Sequence, residues 1–469
     1  MLACWPRRQQ AREHLPPAER GQAKVTSFQR AFWHELHGDD VEALMRSGAV
    51  ALLDAAWLVA YADSGSTLRP RQQLPYEAFV GVDDLHAAQV DAEYLRVALL
   101  SHMWLTPSHP DPKGTTLRLL AGVLRAFLAS GGFAKLGVFI DFCSMFQHPD
   151  PANGVFRTPA EEEHFRRGLN GLAPLFTHQY TFVLQVSRFP DEYPAGYELP
   201  DGANVAAYAD RGWCSTEAAW AIMTKKAFLC CDLGQLAGCS HQCDYSEILR
   251  RCAYQSRPTP KTPEQFVAEL SQKVFTNGKE DHPLVGRLYN ETFFATFARA
   301  EKLVYRAVSW GDEEVRQLML IAATRALTKL RALDLNTNRI SDAGAECIAQ
   351  ALAAGHLPSL AMLNLYQNPI GDAGYRALSE VVPSTLHNAL QHDGGSAAER
   401  WLQSGRVVHV ATQGDNGIFV NPLVARSHDW GGGRSSASRS GAKPRRKSDE
   451  HPVQAQQIRL YISRPGDKL

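Results

Sequence analysis

Apolar and polar positions change period several times along this chain of 469 residues, and the changes divide it into predicted elements. Between Tyr94 and Leu233 four strand-length apolar runs, LRVALLS, LGVFIDF, YTFVLQVS and AFLCCDL, are separated by stretches of helical spacing. That alternation predicts a parallel sheet covered by helices, with Val97 to Leu100, Val138 to Ile140 and Phe182 to Gln185 as adjacent core strands. Thr115 to Leu128 has helical apolar spacing, and Thr158-Pro159-Ala160-Glu161 reads as a capping box with proline at the first helical position. A further helix, CSTEAAWAIMTKKA, follows an Arg-Gly-Trp turn. Upstream, Phe28 to Ala62 predicts two helices, the second (AVALLDAAWLVAYA) apolar enough to be buried against the next domain.

The outlines of the organisation follow. Residues 1–30 are polar and are expected to be a disordered lead-in, 31–92 a helical segment, 93–253 the α/β domain, and 254–325 a helical connector opened by a second capping box at Thr262. Residues 326–404 carry an internal repeat: LRALDLNTNRISDAG and LAMLNLYQNPIGDAG superimpose residue for residue, and Asn338 to Asn368 gives a period of 368 − 338 = 30. Both copies fit L-x-x-L-x-L-x-x-N-x-I and resemble leucine-rich repeats of the ribonuclease-inhibitor type, in which each strand is followed by a full helix. Leu333, Leu335, Leu363 and Leu365 are then core, and Leu335 and Leu365 should lie on neighbouring parallel strands. Two repeats are too few to bury a core alone, so the helix near Asp312 and the segment LHNALQHDGGSAAERWL are expected to cap them. Alternation along the strands points Asp334, Asn336, Asn364 and Tyr366 outward, as candidates for contact with a protein partner. An alternative is that the repeats merely extend the core of the domain before them. Residues 405–469 are expected to be a largely disordered basic tail; its KPRRK, Lys443 to Lys447, is either a solvated run or a nuclear signal.

Composition narrows the function classes. Lys+Arg and Asp+Glu both total 49, so global charge favours neither nucleic acid nor an anionic membrane as a partner. The longest apolar run is broken by Asp54 and too short to span a bilayer, which predicts no membrane segment and a soluble, cytoplasmic or nuclear protein. The 9 cysteines are not spaced as a disulfide framework. Cys230, Cys231, Cys239, His241, Cys243 and Cys252 crowd one stretch but match no paired zinc spacing, so no metal is expected.

Ligands of doubly wound sheets bind beyond the carboxyl ends of strands. That rule places Ser101, His102 and Trp104 after the first strand, Asp141 and Ser144 after the second, and Ser187 and Arg188 after the third. The turn YADRGWCSTEAAW brings Tyr208, Trp213, Cys214 and, in the first helical turn, Glu217 to the same edge. Tyr208-Ala209-x-x-x-Trp213-Cys214-x-x-Glu217 resembles the Y-A-x-S-x-W-C-x-x-E-L segment of TIR domains, the Toll/interleukin-receptor/resistance-protein family. ALLSHMW is similar to that family's first-strand motif, and the order of strands and helices agrees. The fungal HET domain is a less close resemblance, and SHMWLTPSHPDPKG with VFIDFCSMFQ and RGWC is also similar to uncharacterised proteins of algae and other protists. The sequence departs from the TIR pattern where Arg211 replaces serine and Ala218 replaces leucine.

The TIR resemblance implies a flavodoxin-like parallel sheet and a signalling domain that self-associates. Some TIR domains also cleave NAD between nicotinamide and ribose through the motif's glutamate. The chain is thus expected to be a signalling or immune-type protein, with a TIR-like domain that oligomerises and repeats that bind a protein. If it is an enzyme, it is an NAD nucleosidase with Glu217 as the catalytic carboxylate, Ser101, His102, Trp104, Asp141, Ser187, Tyr208 and Trp213 around the substrate, and no required cofactor. A non-catalytic repeat scaffold, in which Glu217 only favours the start of its helix, is the third reading.

Overall fold

The computed structural model describes residues 38–87, 96–130, 135–189, 203–236, 242–254, 256–276, 281–381 and 459–462. Two sheets organise them. The first has six strands: β1 (Leu52–Asp54), β2 (Phe79–Val80), β3 (Val97–His102), β4 (Gly137–Ile140), β5 (Phe182–Val186) and β6 (Cys230–Asp232), in the order β2-β1-β4-β3-β5-β6. Strands β3 to β6 are parallel, with Leu99 opposite both Phe139 and Val183. Their side chains are buried on both faces, which is why each reads as a continuous apolar run rather than an alternating one.

The expectation of an all-parallel sheet is corrected: β1 pairs antiparallel with both β4 and β2, so the sheet is mixed. Its source is the stretch read as helical. Asp54 splits the apolar run, its carboxylate accepting the amides of Ala56 at 2.9 Å and Trp57 at 3.0 Å. The residues before it extend as β1, and the helix Ala55–Asp63 begins only after this cap. An unbroken apolar run carries no period by which strand and helix could be told apart.

Helices cover both faces. One face packs on the helices Ala55–Asp63, Thr115–Ser130 and Tyr245–Cys252 through Phe127, Leu124 and Ile248. The capping boxes at Thr158 and Thr262 both form. The second sheet holds β7 (Lys302–Val304), β8 (Ala332–Asp334), β9 (Met362–Leu365) and β10 (Arg459–Ile462), all parallel, in the order β10-β9-β8-β7. Two of these strands lie outside the two copies read from sequence. β7 reveals a third, degenerate copy over 302–323, so the helix Asp312–Ala323 belongs to a repeat and is not a separate cap. Residues 459–462, which form β10, lie within the stretch expected to be a largely disordered tail, and the rest of that stretch lies outside the described residues. The lead-in, the segment LHNALQHDGGSAAERWL and Lys443 to Lys447 lie outside the described residues.

The other face of the first sheet and the interior of the repeats form one continuous apolar cluster. It runs from Val97, Leu99, Phe139 and Trp220 through Tyr289 and Phe293 of the helix Asp281–Arg299 to Leu333, Leu335, Leu363 and Leu365. The repeats therefore extend the core of the α/β unit. Polar ties reinforce the seam: Tyr305 Oη donates to the Met223 carbonyl at 2.5 Å, and Trp310 Nε1 to the Arg257 carbonyl at 2.8 Å. Among the described residues no helix is long and apolar enough to cross a membrane.

Candidate functional site

At the carboxyl end of β3 the chain runs out of sheet partners, and its polar residues meet those of the helix Gly212–Ala221. Ser101 Oγ shares a short hydrogen bond with Glu217 Oε2 and lies 2.6 Å from Tyr208 Oη. Either hydroxyl can donate in the second bond, since a protonated Glu217 carboxyl can itself supply the proton of the first. Ser101 is fully buried and Glu217 is 8% exposed. Among the described residues Glu217 has no ion-pair partner. Burial, with the Asp141 carboxyl adding like charge, pushes its carboxyl up to about 8, against the pull of the Ser101 hydrogen bond. At neutral pH Glu217 is therefore mostly the uncharged acid.

Glu217 is the sixth residue of a helix that begins at Gly212, one turn deeper than the sequence reading placed it. A helix-start role, which acts only within the first turn, does not account for it. The Gly-Trp start is fixed by packing. A Cβ on Gly212 would lie 2.1 Å from Phe275 Cζ, so any larger residue must push aside the ring of Phe275, which follows the Val274 that pairs with Arg211.

Asp141 begins the short helix Asp141–Ser144 after β4 and accepts Trp104 Nε1 at 2.7 Å and the Phe142 amide at 2.7 Å. Burial nevertheless raises its carboxyl to about 6. His102 is 5% exposed, and burial, with Arg211 and His109 nearby, lowers its pKa to about 3, so it is neutral. Its Nε2 is buried without a hydrogen-bond partner among the described residues. Cys214 Sγ contacts the His102 carbonyl at 3.5 Å, and burial raises its thiol well above the usual range, the reverse of an activated nucleophile.

The structure thus brings Ser101, Tyr208 and Glu217 into contact, with Asp141, Trp104 and His102 beside them. Two candidates lie elsewhere. Trp213 turns toward the helix Asp281–Arg299, its Nε1 donating to Asp281 at 2.9 Å, and Ser187 donates to Asp232 at the end of β6. Arg211 is a residue that sequence reasoning recorded only as a departure from the motif it resembles. Its guanidinium is buried and donates to the carbonyls of Trp104 at 2.5 Å, Asn204 at 2.5 Å and Ala206 at 2.8 Å. It ties the loop before the helix down onto the edge of β3. Much of the loop between Arg188 and Ala206 lies outside the described residues.

The repeat sheet offers the second candidate surface. Asn338 and Asn368 turn inward and bind backbone: Asn338 Nδ2 donates to Tyr305 O at 2.7 Å and Leu335 O at 2.9 Å, and Asn368 Nδ2 to Leu335 O at 2.9 Å and Leu365 O at 3.0 Å. A parallel ladder runs along the helix starts. Asp312 Oδ1 accepts the amides of Ser341 at 2.8 Å and Gly344 at 3.0 Å, and Asp342 Oδ1 those of Gly371 at 2.6 Å and Gly374 at 3.0 Å. The glycines of the two Asp-Ala-Gly triplets are required by this ladder, since a Cβ on Gly344 would stand 2.5 Å from Asp312 Oδ1.

Of the four residues expected to face a partner, Asp334 and Tyr366 are half-buried, while Asn336 and Asn364 are only 4% exposed. The exposed rim belongs instead to Lys302, Arg306, Thr337 and Gln367. Thr337 Oγ1 donates to Gln367 Oε1 at 2.8 Å, and Lys302 and Arg306 lie near enough to offset the burial that raises the Asp334 carboxyl. The signal for this rim was present in the sequence as the third copy, since Asp312, Asp342 and Asp372 keep the period of 30. Valine at 308, where the other copies have asparagine, concealed it.

None of the described cysteines forms a disulfide. Cys230, Cys231, Cys243 and Cys252 are buried, and Cys239 and His241 lie outside the described residues. Among the described residues no three His, Cys, Asp or Glu side chains group as metal ligands. In comparison with known families, residues 326–349 match the family model described as Leucine Rich repeat. The match covers β8 and most of the helix Asp342–Ala353 and points to a protein-interaction role.

Proposed function

We propose that this chain is an interaction protein: its repeat sheet binds a protein partner across the rim of Lys302, Arg306, Asp334, Thr337 and Tyr366, and its α/β part, read as TIR-like, supplies self-association in a signalling assembly. The observation that carries the first half is the matched repeat, built on a continuous core that holds the rim rigidly. The TIR-like, flavodoxin-like reading of the second half is supported by the order of the parallel strands, in which β3 lies between β4 and β5 and β6 follows β5. A cytoplasmic setting is part of the same proposal and is supported by the absence of disulfides among the described cysteines. The test is cross-linking and co-purification of the full chain with and without Lys302→Glu, Arg306→Glu and Tyr366→Asp. Partners of the wild type should be lost at unchanged thermal stability, and retention of every partner removes this face from the proposal.

A specific observation favours a second reading, hydrolysis of NAD through Glu217. Two carboxyl groups, Asp141 and Glu217, stand near a hydroxyl pair with their pKa values set apart at about 6 and about 8. Cleavage of the nicotinamide-ribose bond releases nicotinamide, and water adds to the ribosyl cation to leave ADP-ribose and a proton. Only the ionised Glu217 carboxylate stabilises that cation. Nicotinamide release should therefore rise with pH through about 8 and vanish in Glu217→Gln. Wild-type protein that releases none at pH above this range, under conditions where it oligomerises, ends the enzymatic reading.

A further inference from the structure

The second sheet has one side that the repeats do not close. β9 pairs with β8 through Leu363 opposite Leu333, but on its other side no repeat follows among the described residues. The strand that lies there, β10, comes from 459 − 365 = 94 residues further along the chain, a separation whose closure entropy grows only logarithmically with length. Its pairing is parallel and in register over the whole of β9. Arg459 stands opposite Met362, Leu460 opposite Leu363, Tyr461 opposite Asn364 and Ile462 opposite Leu365. The order Leu460-Tyr461-Ile462 repeats the apolar-polar-apolar order of Leu333-Asp334-Leu335 and Leu363-Asn364-Leu365. A segment outside the repeats thus takes the backbone register of a further repeat strand.

We propose that the outer edge of β9 is a strand-acceptor site, held in the resting chain by residues 459–462 and open by strand exchange to an extended peptide of a protein partner with the same apolar-x-apolar pattern. An uncovered edge presents a row of unpaired amide and carbonyl groups that templates pairing with any extended segment. Parallel register, with aliphatic residues opposite Leu363 and Leu365, selects among such segments. The tether keeps the internal strand at high local concentration, yet the pairing spans only 4 residues, so it is short enough for a longer peptide to displace. The exchange with a partner rests on the proposed interaction role of the repeats; the acceptor edge does not.

The test uses the full chain in two forms, wild type and Arg459→Pro/Tyr461→Pro. The Asn364 carbonyl accepts from Leu335 at the end of the preceding strand, so Tyr461 and Arg459, at the matching positions of β10, turn their amides to β9, and proline removes the amides that this ladder needs. Amide exchange over residues 360–368 should be at least about tenfold faster in the variant. A labelled synthetic peptide of residues 456–465 should bind the variant at least about tenfold more tightly than wild type, where the tethered strand competes. Excess peptide added to wild type should in turn speed exchange in the segment containing residues 459–462. Equal exchange and equal peptide binding in the two forms would overturn the proposal, as would a peptide bound by neither. A wild-type dimer that the variant loses would overturn the intramolecular arrangement, the strand then coming from a second copy. None of these readouts uses the rim or a natural partner, so this failure and failure of the proposed function are told apart.

Discussion

Polar side chains are buried in both halves of this molecule, but they are satisfied differently. Beside β3, Ser101, Tyr208 and Glu217 bond to one another. In the repeats, Asn338, Asn368, Asp312 and Asp342 bond to backbone amides and carbonyls. The first cluster joins residues 107 and 116 positions apart, so nothing in the local pattern fixes its geometry. The second recurs at a constant spacing and is dictated by the backbone of the neighbouring copy. A side chain that serves backbone is tied to a register, whereas side chains that serve each other need only meet. The repeats are therefore a scaffold whose polar interior has no chemistry to spare. The α/β cluster holds an acid that burial favours in its neutral form and a His102 Nε2 without a hydrogen-bond partner among the described residues, groups not committed to the backbone.

The sharpest way to break this contrast is to ask whether the halves are separate at all. Because one apolar cluster runs from Val97 to Leu365, Leu335→Asp should place an unpaired charge in a core common to both sheets and cost about 3–5 kcal/mol. The α/β part should then lose stability with the repeats, as a single shifted transition in denaturant melts followed separately by near-ultraviolet circular dichroism and by amide exchange in β3 to β5. Unchanged exchange in β3 to β5 would show that the common core is not energetically shared.

What could be read from the sequence divides along the same line. The four parallel strands were legible because burial on both faces makes each an apolar run, and the repeats because their period survives substitution. β1 was missed because the role of Asp54 as a cap is visible only once the helix start is known. The third repeat was missed because Val308 breaks the asparagine ladder while Tyr305 and Trp310 fill the leucine and isoleucine positions with rings that reach the α/β unit. In the candidate site, Ser101, Tyr208 and Glu217 came from strand ends and a motif, but nothing in their spacing told that Trp213 would face Asp281. Nor could the charge of Arg211 reveal that three carbonyls awaited it.

A smaller effect tests the state of Glu217. Its carboxyl titrates near 8 in the fold against an ordinary value of 4.5, so between these values the native state holds a proton that the unfolded chain has released. Stability from this group is complete below pH about 4.5 and is lost as pH rises through about 8. Lys225 and His102, whose pKa values are lowered by burial to about 7 and about 3, act in the opposite direction, so the measurement must be a difference. Glu217→Gln keeps the neutral form at every pH. Relative to wild type it should gain stability on the order of a few kcal/mol between pH 5 and pH 9, since each pKa unit corresponds to about 1.4 kcal/mol. A pH-independent difference between the two proteins would mean that Glu217 is ionised throughout, and the neutral acid would drop out of the comparison.

The smallest predicted effect concerns the copy that the sequence concealed. Ala307, Thr337 and Gln367 hold the same place in the three copies, and all three have positive φ, at 54°, 57° and 55°. The left-handed region costs an ordinary residue about 1–2 kcal/mol, while glycine adopts it without a Cβ clash but loses about 0.4–1 kcal/mol more entropy on folding. Thr337 and Gln367 are joined by a hydrogen bond that a substitution would sacrifice, so neither isolates the backbone term. Ala307 is exposed and has no polar side chain to lose, and its amide donates to Asn336 O at 3.0 Å whether or not a Cβ is present. Ala307→Gly should therefore raise stability by up to about 1 kcal/mol in thermal or denaturant melts. The sign is the decisive part. In an ordinary turn or strand the same change would destabilise through added chain entropy, so a loss of stability would show that 302–323 does not share the backbone of the copies that follow it, and that the regular half of the molecule begins one repeat later.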